Sequence, residues 1–407
     1  MRVSRLVVLL AIPAWAVALS GCTKRSPTEA LDPREGTCES CHVVGVASQV
    51  EAGYAVSKDF VTSVHGRRGC TGCHAGTEEP AREQEAHKGL VDDPSGRAGN
   101  ICASCHRERA ERYGRTVHGS QSGVLRAIRE RTGATELAGN ARDMFEQACG
   151  SCHASCGKCH LKRDAGGSAP ITAQHTISGE PDPRESCLTC HERLSREYQG
   201  LVQGNQPDVH FERGMTCFDC HPRSGFHGEG QPAESRYEVA DLPSCSGCHP
   251  QVLSETTTNI YHRLMVKKVQ CQVCHSQSYL TCYNCHVSRQ RSQLALEEVD
   301  FRIGKNPAKS DRHPWDWVVL RHVPIAPDSY TDWGVSQTRF SEFPTWRYAS
   351  PHNIRKKTTQ NSGCYGPCHL NAAVFLTRDY LQQKVSQGAM VPAEIEANAN
   401  VVVEKVP

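Results

Sequence analysis

Eleven times along the chain a cysteine pair runs directly into a histidine, ten times as C-x-x-C-H and once as C-x-x-x-C-H. The first six are Cys38 and Cys41 with His42, Cys70 and Cys73 with His74, Cys102 and Cys105 with His106, Cys149 and Cys152 with His153, Cys156 and Cys159 with His160, and Cys187 and Cys190 with His191. Cys217 and Cys220 with His221, Cys245 and Cys248 with His249, Cys271 and Cys274 with His275, and Cys282 and Cys285 with His286 follow. The widened motif, Cys364 and Cys368 with His369, comes last. Two thiols at this spacing can form thioethers to the vinyl groups of one porphyrin, and the adjacent imidazole then reaches the iron from one face. A lone C-x-x-C pair would equally suit a zinc knuckle or a thiol redox site, but neither needs a histidine directly after the second cysteine. Every pair here has one, so the expected cofactor is haem c, eleven copies, covalently attached.

The motifs use 22 of the 23 cysteines and leave Cys22. Residues 1–21 carry Arg2 and Arg5, an apolar run from Leu6 to Leu19, and then Ser20-Gly21-Cys22. That run of 14 residues is shorter than the roughly 20 an ordinary membrane span needs, and it suits the apolar centre of an export signal. The segment looks like a bacterial lipoprotein signal peptide with lipid placed on Cys22, which would anchor an otherwise water-exposed chain to a membrane.

Outside the motifs stand ten more histidines: His65, His87, His118, His175, His210, His227, His262, His313, His322 and His352. Their number nearly equals that of the motifs, which marks them as candidate distal ligands to the same irons. His87 and His227 sit in polar, Gly- or Glu-rich segments, a setting that suits surface residues better. Eleven irons against ten histidines leave one iron short. Met144, Met215, Met265, Met390, a lysine, a partner's histidine or an open position could complete the count.

The elements that must hold these residues are sparse. Hydrophobic residues make up 38% and aromatics 6%, and 33 glycines and 22 prolines interrupt most periodic stretches. The polypeptide alone would bury little, and stacked porphyrins would supply the missing apolar surface. The expected fold class is mainly irregular and α-helical with few strands, a haem-stacked scaffold. Between motif histidines the commonest step is about 30 residues, an internal repeat of one haem per unit. His153 with His160 and His275 with His286 break that repeat as tandem pairs. Helical spacing of apolar residues runs from Gly123 to Ala148, where Gly133 and Gly139 can split it, and a short helix is expected over Glu192–Leu201.

The expected domains are a signal peptide at 1–21, a haem-repeat region at 22–286, a Pro/Trp-rich arm at 287–363 that supplies distal histidines, and a last motif with a tail at 364–407. Beyond about Tyr380 the sequence turns Ala/Glu/Val-rich, and a frayed end is expected. Charge adds one constraint. The chain is formally +2, and removal of residues 1–21 would leave it neutral, so haem propionates would make the loaded protein acidic. Arginines beside the motifs, Arg193 and Arg223 among them, are candidates to face those propionates. No basic block points to nucleic acid.

From residue 19 to 369 the chain resembles bacterial multihaem c-type cytochromes, specifically the lipoprotein members associated with outer-membrane and extracellular electron transfer. The lipobox, the eleven motifs and phrases such as Ser63-Val64-His65-Gly66, echoed by Val117-His118-Gly119, carry the likeness. It implies serial electron hopping through stacked, mostly bis-histidine haems, with a periplasmic donor on one side. On the other would stand a second cytochrome, an outer-membrane porin–cytochrome complex or an extracellular acceptor. Thr23 after Cys22 favours sorting to the outer membrane. A second function class is a terminal reductase of a small oxyanion (nitrite, tetrathionate, selenite or tellurite), which needs an iron with an open position. Such reductases often carry a lysine in place of the motif histidine, and no C-x-x-C-K occurs here.

Overall fold

A computed structural model describes residues 38–44, 54–77, 83–96, 100–148, 154–161, 175–229, 232–283, 295–298, 301–363 and 365–406. The signal segment, Cys22, Cys149, Cys152, His153, Cys285, His286 and Cys364 lie outside the described residues, as does the side chain of Cys282.

The chain divides into two compact units, Met1–Pro94 with Thr172–Thr176, and Ser95–Ile171 with Ile177–Pro407. In the first, the turn Cys38–His42 leads into a parallel bridge between Val43 and Val56. The helix Lys58–Thr62 follows, capped by the Ser57 hydroxyl, which accepts from the Phe60 N–H. In the second unit short helices dominate. The apolar stretch read from the sequence forms two of them, Ser122–Thr132 and Asn140–Ala148. They part at Gly133, whose φ of 72° ends the first. Ile128, Met144 and Phe145 on these helices form a small buried cluster backed by Tyr330 and Trp333. The helix Glu192–Gln199 stands where expected and closes on Gly200 in the left-handed conformation.

Strands are few and mostly late in the chain. A hairpin pairs β1, Leu280–Tyr283, with β2, Ala295–Glu298. An antiparallel sheet then orders β3, Phe301–Lys305, β4, Trp317–His322, and β5, Trp346–Tyr348. Alternation along β4 sends Val318 and Leu320 into one apolar cluster and Val319 into another. The first cluster contains Leu376, Leu381, Met390, Val401 and Val402, and the second Phe375 and Val403.

The frayed end expected beyond Tyr380 is therefore corrected. Two helices, Arg378–Ser386 and Ala393–Ala397, and the segment after them cover both faces of the sheet, and Leu381 and Val401 are fully buried. Residues 301–363, expected as part of a Pro/Trp-rich arm, hold this sheet. No helix among the described residues is long and apolar enough to cross a membrane.

Candidate haem-ligating sites

Most described motifs fold as short helical segments that end at the histidine or one to two residues before it, with Pro183–Cys190 running to two turns. Cys156–His160, Cys245–Cys248 and Cys271–His275 are α-helical, and Ile101–Ser104 and Cys217–Asp219 are 3₁₀. In the widened motif Tyr365–His369 winds as a wider, π-helical turn. Residues three apart on a helical turn share a face, so the two thiols of a C-x-x-C motif point the same way. Polar caps start several of these turns. Ser155 accepts from Lys158 N–H, Ser244 from Gly247 N–H, and Asp182 from Arg184 N–H ahead of the turn that carries Cys187 and Cys190.

Every described motif cysteine is at least partly exposed. Of the second cysteines, Cys41, Cys105, Cys190, Cys220 and Cys248 are exposed, and Cys73, Cys159, Cys274 and Cys368 are half-buried. Of the first, Cys245 is exposed, and Cys38, Cys70, Cys102, Cys156, Cys187, Cys217 and Cys271 are half-buried. Free cysteine is among the most buried residue types in ordinary cores. These thiols, expected as haem attachment points, are exposed or half-buried and none is enclosed in a core. Cys274 also packs against an apolar cluster, the one that contains Val273 and Val319. Weak contacts from the preceding serine reach two of the sulfurs, Ser40 Oγ to Cys41 Sγ at 3.9 Å and Ser104 Oγ to Cys105 Sγ at 3.8 Å.

The motif histidines then meet partners from elsewhere in the sequence. Ring centroids lie 6.0 Å apart for His42 and His87, and 5.8 Å for His74 and His175. In the second unit the separations are 6.2 Å for His191 and His118, 5.9 Å for His160 and His227, and 6.3 Å for His249 and His210. His221 stands 6.5 Å from His352, and His275 6.1 Å from His262. These seven described contacts between imidazoles each join one motif histidine to one non-motif histidine.

The spacing is compatible with a shared metal and also falls within the roughly 4.5–7 Å of ordinary aromatic contacts. With metal–imidazole bonds of about 2.0–2.1 Å and roughly 1.1 Å more from nitrogen to ring centre, two imidazoles on opposite faces of one metal have centroids about 6.2 Å apart. Their planes are tilted by between 32° and 83°, a spread that rotation about the nitrogen–metal axis permits. Among the described residues no three His, Cys, Asp or Glu side chains converge as a tetrahedral zinc site would require.

Hydrogen bonding orients the motif imidazoles. Nδ1 of His42 lies 3.2 Å from Tyr54 O, that of His74 2.9 Å from Val91 O, that of His160 2.8 Å from Ser178 O, and that of His275 3.1 Å from Arg355 O. A carbonyl can only accept, so in each case Nδ1 carries the hydrogen and Nε2 keeps its lone pair for a metal. Burial pushes His175, His191 and His221 down to about 4, and neighbouring histidines add to the fall. They are neutral at pH 7, the form that ligates.

Two buried carboxylates that sequence reasoning missed stand behind distal candidates. Glu197 accepts from the His352 backbone N–H at 2.7 Å, and its carboxylate lies 3.5 Å from Nδ1 of the same residue. Asp208 accepts from His210 N–H at 2.8 Å and lies 3.5 Å from its Nδ1. The spacing Asp208-Val209-His210 was a usable signal for the second, whereas nothing local connects Glu197 to His352.

The His-Gly phrases also acquire a reason. A Cβ on Gly66 would stand 2.0 Å from Phe60 O, and one on Gly119 would stand 2.2 Å from Tyr113 O. Both glycines follow a candidate histidine and let the chain press against the carbonyl six residues back. His65 therefore shares the local geometry of His118.

His65 and His313 are not among the seven pairs, and Nε2 of His313 is buried without a hydrogen-bond partner among the described residues, beside the rings of Tyr348, Trp315 and Tyr237. His322 stands in a different setting. Its Nε2 is 2.7 Å from the Glu394 carboxylate, which also accepts from Thr345 Oγ1, so the ring is held inside the C-terminal core. Met144 and Met390 are also packed in apolar clusters. The ring of Tyr365 stacks on that of the motif histidine His369 at 5.7 Å. Of the arginines, Arg223 pairs with Glu180 at 3.0 Å, and Arg193 lies 3.9 Å from Glu197.

Some consecutive motifs lie close together. Cys187 and Cys217 neighbour each other, and their interaction pulls Cys217 down to about 7 and pushes Cys187 up. Cys245 and Cys271 are a second such pair, with Cys271 lowered and Cys245 raised.

Over residues 101–170 and 227–276 the chain matches the family described as cytochrome c554 and c-prime. No curated protein and no solved structure matches it. The likeness to a c-type cytochrome covers part of the chain, and with it comes the general function of such proteins, electron transfer by haem. The fold agrees with that class, being mainly helical and irregular with few strands.

Proposed function

We propose that the protein is a multihaem cytochrome that passes electrons through eleven covalently held haems between a periplasmic donor and an outer-membrane or extracellular acceptor. The observation that carries this reading is the one-to-one matching of seven motif imidazoles with seven non-motif imidazoles. An iron held on both faces changes oxidation state without binding substrate, and that one-electron chemistry is what the haem supplies. The protein's own part is to set each imidazole's tautomer, through carbonyls such as Val91 O and Ser178 O, and to bring neighbouring sites together through the Cys187–Cys217 and Cys245–Cys271 contacts. Lipid on Cys22 would hold the chain at the outer membrane beside another cytochrome or a porin–cytochrome complex.

One observation favours the second reading, a terminal oxyanion reductase. With His322 bonded to Glu394, nine non-motif histidines remain for eleven motifs. At least two irons would then lack a distal histidine within the chain. Reduced viologen assays against nitrite, tetrathionate, selenite and tellurite decide between the readings. The conduit predicts slow, unsaturable oxidation by all four, and rapid saturable reduction of one would make the protein an enzyme.

A further inference from the structure

Glu197 is fully buried, and the two oxygens of its carboxylate have different surroundings. Oε2 accepts from the His352 backbone N–H at 2.7 Å and lies 3.5 Å from Nδ1 of the same residue. Oε1 is buried with no hydrogen-bond partner among the described residues, and so is Nδ1 of His352. Arg193 approaches Oε1 at 3.9 Å, beyond hydrogen-bond length, and its side chain is 26% exposed, so it offsets the carboxylate's charge only in part.

Two polar groups left unsatisfied in one buried place cost free energy unless they are matched to each other. Ligation of iron by His352 supplies the match. A neutral imidazole that gives the Nε2 lone pair to a metal carries its hydrogen on Nδ1, and a carboxylate is a common acceptor for that hydrogen. Only the ring has to turn, because other contacts hold the backbone beside it. Ile354 N–H donates to Asp208 at 2.8 Å, and Val209 N–H donates to Ile354 O at 3.0 Å.

The other histidines described above have different acceptors. Nδ1 of His42, His74, His160 and His275 faces a neutral carbonyl. Asp208, behind His210, has both oxygens engaged by backbone N–H groups, those of His210 and Phe211 on one and that of Ile354 on the other. Glu197 combines full burial, a negative charge and an oxygen still open to an imidazole.

We propose that Glu197 is a positioning residue that takes the Nδ1 hydrogen of His352 and so holds the haem between His221 and His352 at a lower potential than a neutral acceptor would. This rests on the bis-histidine reading above. A negative group on the far nitrogen makes the ligating nitrogen more basic and favours the oxidised, more positive iron over the reduced one.

The test is spectroelectrochemical titration of the intact holoprotein and of its Glu197→Gln variant, with haem counted by mass and spin states read by low-temperature paramagnetic resonance. Glutamine keeps an oxygen that can accept from the same N–H groups and removes the charge. The expected result is an unchanged haem count, no new high-spin signal, one low-spin signal with altered g values and one redox component moved to higher potential. The component that moves should be the one missing from a Cys217→Ala, Cys220→Ala background. Glu197→Asp, which restores the charge, should leave that component closer to its wild-type position than Glu197→Gln does. The proposal is overturned if no component moves, if the one that moves survives in the cysteine background, or if Asp and Gln displace it equally; Glu197 would then be a clamp on the backbone alone. The underlying reading fails by a different result. If His352→Ala leaves every haem low-spin, His352 is not a ligand, and the proposal falls with it whatever Glu197→Gln does.

Discussion

His352 brings its imidazole to 6.5 Å from that of His221, a residue 131 positions earlier, and Glu197 fixes it there through the His352 backbone N–H. The relationship joins the C-terminal part of the chain to the haem-motif region. Replacing His352 by alanine should leave the covalent haem count unchanged and convert one haem from low to high spin. Low-temperature paramagnetic resonance reads this directly. A spectrum identical to wild type would remove His352 from the ligand set.

His322 provides the contrast. Its ring is bonded to Glu394 in a buried network that includes Thr345 and Asn398. His322→Ala should leave every haem spin state as it was. It should cost about 1–3 kcal/mol, because a buried carboxylate loses a partner. Thermal unfolding followed at the Soret band measures the loss, and a new high-spin haem with no loss of stability would reverse the assignment.

Ligand arithmetic gives a third expectation. Eleven motifs against nine remaining histidines require at least two haems without bis-histidine coordination in a verified monomer. Paramagnetic resonance combined with near-infrared magnetic dichroism should show either high-spin signals or methionine or lysine charge-transfer bands amounting to two or more haems. Bis-histidine signatures from ten haems, one more than the nine remaining histidines allow, would show that His322 leaves Glu394 when haem is bound.

These expectations also mark what could be read from the residues. The motifs are local, since the order of Cys, Cys and His within five or six positions is by itself what raises the expectation of attachment and proximal ligation, and the structure folds most of the described ones into short helical segments. The distal matching is not local. His262 and His275 are 13 residues apart, His42 and His87 are 45 apart, and His352 reaches back 131, so no spacing rule connects them. His87 and His227 looked like surface residues because their neighbours are polar, yet both face a motif imidazole. The composition of the tail misled for a related reason. An Ala/Glu/Val-rich end reads as frayed until the exposed faces of β4 are known, and it is those faces that Leu381, Val401 and Val403 cover.

Location is tested at Cys22, which belongs to no motif. Cys22→Ser should release the protein from membranes in a fully haem-loaded form, measured by fractionation and haem staining. Retention of the variant in the membrane fraction would mean that something other than lipid at this position holds it.

The central claim is that every cysteine pair followed by histidine carries a covalent haem, and the intact mass of the purified holoprotein tests it most directly. The account predicts a mass above that of the processed polypeptide by eleven haems, none of them extracted by acidified acetone. A polypeptide mass without haem, or cysteine pairs occupied by zinc, would contradict it.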